Sequence, residues 1–202
     1  MAVIYNMGLK EKDKKLKQIK DQVLKCKSCP LYKTRKLPVI GQGNHGADIL
    51  FIGEAPGKNE DETGIPFCGR AGNILNELLE YINLKRKDVY ICNIIKCRPP
   101  QNRDPKPEEI KKCTPYLEKQ LKIIEPKIIC SLGRFAMTFL MNKYGLKNEL
   151  KSISKDHGNK YDIKVFSKDT IFIPMYHPAV ATYNPNMKDV LKKDFKLLQK
   201  YE

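Results

Sequence analysis

DILFIGEAPG, residues 48–57, begins in an apolar run and ends in a turn made of glycine and proline. Ile49, Leu50, Phe51 and Ile52 follow one another without a polar interruption. That pattern predicts a strand buried on both faces, as in the middle of a parallel sheet with helices on either side. Residues 89–95, 127–132 and 170–175 have the same character and predict three more such strands. Between them lie stretches with helical periodicity. Over residues 73–82, Ile74, Leu75, Leu78, Leu79 and Ile82 share one face. A helix is expected from Pro107 to about Ile124, with proline at its first position and Glu108 and Glu109 in its first turn. Further helices are expected over residues 9–27, 133–143 and 186–199. Strands alternating with helices predict an α/β fold with a mainly parallel sheet covered on both faces. Residues 25–46 and 96–106 read as loops, and residues 146–168 are polar and show no clear period.

In such sheets ligands bind at the carboxyl ends of the strands. Three unusual stretches sit there. GEAPGKNEDETGIPFCGRAG (53–72) follows the first strand, and a loop of about 20 residues exceeds the usual length and points to function. ICNIIKCRPPQNRDP (91–105) spans the end of the second. HPAVATYNP (177–185) follows the fourth.

Their chemistry can be read residue by residue. Gly53 and Gly57 allow a close backbone approach to a ligand, but neither a phosphate-binding G-K-[ST] nor a GxGxxG pattern is present. Glu54, Glu60 and Asp61 supply carboxylates, which alone are equally well read as a solvated acidic turn. Phe67, in a glycine- and proline-rich loop, suits a stacking platform for a flat ligand such as a base. Asn93, among apolar neighbours, must place its amide donor and acceptor somewhere, either on a base edge or on a neighbouring loop. His177, before a proline, can donate to a developing oxyanion or ligate a metal.

Seven cysteines, an odd number, argue against a disulfide framework. Cys26 and Cys29 form C-x2-C, and Cys97 and Cys113 form a second pair 68 residues downstream of Cys29. A set of this kind holds zinc or an iron–sulfur cluster. Cys68, Cys92 and Cys130 read as ordinary buried thiols.

The chain of 202 residues is long enough for one sizeable core and carries a formal charge of +15. A surplus of this size suggests a polyanionic partner, although solubility alone would also account for it. Residues 1–37 hold 11 Lys or Arg against 3 Asp or Glu. No apolar run reaches membrane-spanning length, and the first residues lack a signal-peptide core. An intracellular protein is expected, in the cytoplasm or nucleoid of a prokaryote.

Taken in order, CKSCPLYKTR, ADILFIGEAPGKNEDETGIPFCGRAG, VYICNIIKCRPPQNRDPKPEEIKKCTPYL, IICSLGRFA and HPAVATYNPN resemble the family 4 uracil-DNA glycosylases of the uracil-DNA glycosylase superfamily. The resemblance covers about residues 20–200. It implies a single domain over residues 1–202, with three layers, α/β/α, and a four-stranded, mainly parallel central sheet. It implies a [4Fe–4S] cluster on Cys26, Cys29, Cys97 and Cys113, and monofunctional removal of uracil from double- or single-stranded DNA. Gly53, Glu54, Ala55, Phe67, Asn93 and His177 correspond to the residues that hold flipped uracil. Glu54 or Glu60 would position water or offset charge on the sugar, and Glu60 could instead line the pocket and exclude thymine. Ala55 stands where family 1 relatives carry an acid, so their water-activating role does not carry over. Glu54 argues against family 5, and no KRRIH-like insert is present. Tyr183 stands where many relatives have arginine. A monomer is expected. No sliding-clamp motif stands out. Two rival readings remain at this stage: a non-catalytic binder of uracil or single-stranded DNA, and a zinc-stabilised nucleic-acid module.

Overall fold

The computed structural model describes residues 7–201. The expected single domain also takes in residues 1–6 and 202, which lie outside the described residues. The first apolar run forms β2 (Ile49–Gly53), the second β3 (Tyr90–Asn93), the third β4 (Ile128–Leu132) and the fourth β6 (Lys168–Met175). These four are mutually parallel in the order β3-β2-β4-β6. Phe51 is paired with Ile91 on one side and Cys130 on the other.

The sheet has six strands rather than four. β1 (Gln42–Gly43) and β5 (Tyr161–Val165) are added at the two edges, both antiparallel. β1 is only two residues long. β5 lies in the polar stretch that showed no period, and as an edge strand it buries only Ile163 and Val165. Its turn to β6 is made by Phe166 and Ser167, both at positive φ (49° and 68°). That tight turn normally calls for Asn-Gly, so no turn signal was present to be read.

Helices cover both faces. On one, α1 (Leu9–Leu24), α4 (Pro107–Ile124) and α5 (Arg134–Lys143) pack on Leu50, Ile52, Tyr90, Ile129 and Phe172. On the other, α3 (Arg70–Tyr81) and α8 (Met187–Lys196) bury Leu75, Leu79, Leu191 and Phe195 against Ile49, Phe51, Ile91 and Ile173. Phe51 and Phe195 stack with ring centroids 5.6 Å apart. Alternate residues of each strand thus feed opposite cores, as the period-two geometry requires.

α4 begins and ends where its sequence directs. Pro107 opens it, the Glu109 carboxylate accepts the Lys106 N–H at 2.8 Å, and Glu125 in the left-handed region closes it. The loop expected over residues 53–72 instead contains a short helix, α2 (Lys58–Thr63), ended by Gly64 at φ 74°. Residues 146–168 also hold the one-turn α6 (Ile153–Asp156), and the loop after β6 holds α7 (Val180–Tyr183). Cys92 and Cys130 are fully buried as expected, whereas Cys68 is only half-buried, beside Thr63. Among the described residues no helix is long and apolar enough to cross a membrane.

α1 is tied to α4 by a buried lysine: Lys12 Nζ donates to the Ile124 carbonyl at 2.9 Å. A cation at a helix carboxyl end meets both an unpaired carbonyl and the negative end of the helix dipole. Lys12→Met is expected to lower stability by about 1–2 kcal/mol, read as a lower urea midpoint with an unchanged slope. An unchanged midpoint would show that this contact contributes nothing.

Candidate functional site

A cavity of about 440 Å³ opens at the carboxyl edge of the sheet. Glu54, Ala55, Glu60, Phe67, Asn93 and His177 all line it. The sequence reading placed these residues on three loops, and the parallel strands bring the loops together. Gly53 stands directly behind them. A Cβ at this position would lie 2.4 Å from Asn93 Oδ1 and 2.7 Å from Phe67 Cζ. Only glycine lets the amide and the ring approach so closely.

Asn93 ends β3 and is 2% exposed. Its Oδ1 is buried and has no hydrogen-bond partner among the described residues. Buried polar atoms are nearly always paired, so an orphaned one in a cavity wall asks for a partner from outside.

His177 follows β6. Its Nδ1 accepts the Ala179 N–H at 3.1 Å, which leaves the ring proton on Nε2 as a donor. Burial pushes the imidazole down to about 4, with the Glu60 charge working against the shift. The ring is therefore neutral at neutral pH and can donate without carrying charge. It stacks on Phe67 with centroids 5.5 Å apart. Phe67 is 7% exposed and sits at φ 50°, an unusual conformation for a bulky residue.

The two glutamates differ in their surroundings. The Glu60 carboxylate accepts three backbone N–H groups: Gly57 at 3.1 Å, Cys68 at 3.0 Å and Gly69 at 3.2 Å. It ties the start of α2 to the segment before α3. Glu54 has no side-chain hydrogen bond among the described residues. Its carboxyl is raised above the ordinary range by burial and the Asp104 charge, with Arg134 opposing. Asp61 is buried away from the cavity, where its Oδ1 accepts the Lys36 N–H at 3.0 Å. At the rim, Arg103 is held by Glu109 through two bonds of 2.9 and 2.6 Å.

The four cysteines of the two pairs line a second pocket, together with Arg35, Lys96 and Tyr116. Cys26 and Cys29 follow α1, Cys97 follows β3, and Cys113 is on α4. Arg35 donates to Cys97 Sγ at 3.0 Å and to the carbonyls of Leu24 and Cys26, each at 3.0 Å. The Lys96 N–H donates to Cys113 Sγ at 3.2 Å. Burial raises the Cys113 thiol to about 12, with Lys96 opposing. Cys26 falls below its ordinary value: burial works against that, but hydrogen bonds from Ser28 and Tyr116 outweigh it. Among the described residues no three His, Cys, Asp or Glu side chains are grouped closely enough for a single metal ion.

Two residues at these sites were not singled out in the sequence. Lys96 is fully buried, and its Nζ donates to the Asn93 carbonyl at 2.8 Å. Arg86 reaches the carbonyls of Pro66 and Phe67 at 2.6 and 3.2 Å. The only prior signal for Arg86 is the scarcity of arginine in a lysine-rich chain.

Residues 40–200 match the family model described as the uracil DNA glycosylase superfamily. Three curated relatives bear the name type-4 uracil-DNA glycosylase. The protein from Saccharolobus solfataricus is 48% identical over 88% of this chain and 82% of its own length. That from Archaeoglobus fulgidus is 46% identical over 90% of both chains. That from Sulfurisphaera tokodaii is 46% identical over 91% of this chain and 83% of its own.

The low value of His177 can be checked directly. Its ring proton resonance is expected to stay constant between pH 8 and about 5.5 and to titrate near 4. The folded value lies below the ordinary value of 6.5, so the unfolded chain takes up this proton first. Stability from this group is complete above that ordinary value and is lost as pH falls toward 4. A midpoint near 6.5 would show that the ring is solvated.

Proposed function

Since the chain belongs to the uracil DNA glycosylase superfamily, and within it to the type-4 uracil-DNA glycosylases, we propose that the cavity at the carboxyl edge holds a flipped uracil and that its residues divide the work of excision as follows. The chain is an enzyme of uracil excision in DNA repair. The orphaned Asn93 Oδ1 carries the residue-level reading. Uracil offers N3–H to that oxygen and O4 to the amide N–H. Cytosine offers the reverse order and leaves the pair mismatched. An unmade buried bond of this kind costs about 1–3 kcal/mol.

Uracil reaches the cavity only by leaving the helix stack. Phe67 then lies against its face. Because Phe67 and His177 already stack on each other, the base lies beside the imidazole and not between the two rings. The bond from C1′ to N1 breaks, and its electron pair leaves with the base as a uracil anion. His177 Nε2–H donates to the oxygen on which that charge collects. The sugar becomes oxocarbenium-like, and water adds at C1′. Glu54, half-buried and free of hydrogen bonds, takes the proton from that water. Burial and the Asp104 charge raise its carboxyl above the ordinary range, which makes it a stronger base. Glu60 already accepts three N–H groups, so its role is to hold the loop. No lysine is needed for attack at C1′, and the product is an abasic site with no covalent link to the chain.

For the second pocket we propose a [4Fe–4S] cluster on Cys26, Cys29, Cys97 and Cys113. Tetrahedral zinc needs sulfurs at about 2.3 Å from one ion, tighter than this grouping. Four thiols spread around a pocket suit a larger group. N–H donors on two sulfurs, with Arg35 and Lys96 as counter-charges, suit an anionic one. When bound, such a cluster supplies four covalent links between the chain's start, the end of β3 and α4, away from the reacting base.

Single-turnover release of uracil from an oligonucleotide, revealed by alkaline cleavage of the abasic site, tests the assignment. Glu54→Gln and His177→Ala are each expected to slow release about 10²–10³-fold while duplex affinity stays near wild type. Asn93→Asp is expected to lower the preference for uracil over cytosine. Loss confined to binding would show that these groups hold the base without assisting its departure. Activity should fall on acidification at a pH above the ordinary glutamate range, as Glu54 protonates.

Protein purified without air is expected to be brown, with about four irons per chain. Stoichiometric zinc without iron would sink the cluster. Cys113→Ala should lower the melting temperature more than it lowers the single-turnover rate.

A further inference from the structure

The turn that carries Phe67 is held from two sides by opposite charges. Pro66 and Phe67 present their carbonyls to Arg86, at 2.6 and 3.2 Å. Cys68 and Gly69 present their N–H groups to Glu60, at 3.0 and 3.2 Å. Three consecutive peptide groups, from Pro66 to Gly69, are thus fixed by one cation and one anion. Phe67 at φ 50° would not hold that conformation unaided. The first turn of α3 adds a third constraint: a Cβ on Gly72 would lie 1.7 Å from the Phe67 oxygen.

We propose that Arg86 is a positioning residue for base recognition: its guanidinium, opposed by Glu60, sets the backbone of Phe67 and so the plane on which the flipped base stacks. This rests on the reading of Phe67 as the stacking platform. Arg86 is half-buried between the α3–β3 connection and that turn, and it also donates to Asn76 Oδ1 at 3.2 Å. Its planar fork serves two carbonyls at once, which an ammonium cannot do in the same geometry. A platform fixed before binding need not be ordered by the ligand. With Arg86 removed, Phe67 is free to relax toward negative φ and turn its ring off the base plane.

The test compares wild type, R86Q, R86K, F67A and F67A/R86Q. Single-turnover uracil release is measured against enzyme concentration, alongside affinity for the same duplex carrying thymine. R86Q is expected to raise the half-saturating concentration about tenfold with a smaller change in the limiting rate, and to leave thymine-duplex affinity within twofold. R86K should restore only part of the loss. In the F67A background R86Q should have no further effect, because the platform is already gone. An R86Q effect that adds in full to F67A, or that weakens both duplexes equally, would overturn the proposal and leave Phe67 stacking intact. A silent F67A would overturn both. If R86Q does not fold, R86K carries the same non-additivity test at smaller size.

Discussion

Parallel strands end together, and the candidate site depends on that constraint. β3, β2, β4 and β6 run the same way, so the segments leaving their carboxyl ends emerge at one edge. Gly53, Asn93, Gly133 and His177 each follow or end one of these strands. Register then converts neighbourhood into contact. Gly53 is paired with Asn93, and Gly133 sits where a Cβ would lie 3.1 Å from His177 Cβ. The edge is crowded with backbone, and its polar side chains are close because glycines stand between them.

The same crowding sets the protonation states. Burial disfavours charge, so it lowers an imidazole and raises a carboxyl. For His177 that result is useful, because a neutral ring with Nδ1 committed to Ala179 has one donor left and nothing to repel it. For Glu54, which we propose as the base, burial works against the charged form that this role requires. The site limits the shift by leaving Glu54 half-buried and placing Arg134 within electrostatic reach. Both side chains are half-buried in the wall of one cavity.

Much of this was legible in the sequence, for identifiable reasons. Apolar runs such as Ile49–Gly53 and the capped stretch of Pro107–Ile124 carry local signals that agree with their tertiary roles. α2 carries no apolar stripe. Its six residues are held by Gly57 and Glu60, whose carboxylate also serves the Phe67 turn, so its cause lies elsewhere in the fold. β5 was missed because Phe166 and Ser167 make a turn that they rarely favour. Asn93 could be suspected from its apolar neighbours, but only geometry shows an oxygen without a partner. Arg86 acts across 19 and 20 residues of sequence, on Phe67 and Pro66, and no local pattern records that.

The two sites are joined by very little chain. Asn93 ends β3, Lys96 follows within a turn, and Cys97 is next. Lys96 faces both ways: its N–H donates to Cys113 Sγ, and its Nζ donates to the Asn93 carbonyl. A fully buried ammonium is costly unless negative charge or dipoles answer it. One carbonyl is a modest answer; the neighbouring cysteine sulfurs would give a stronger one if deprotonated to hold the proposed cluster. The cysteine pocket and the backbone that carries Asn93 are linked through a single residue.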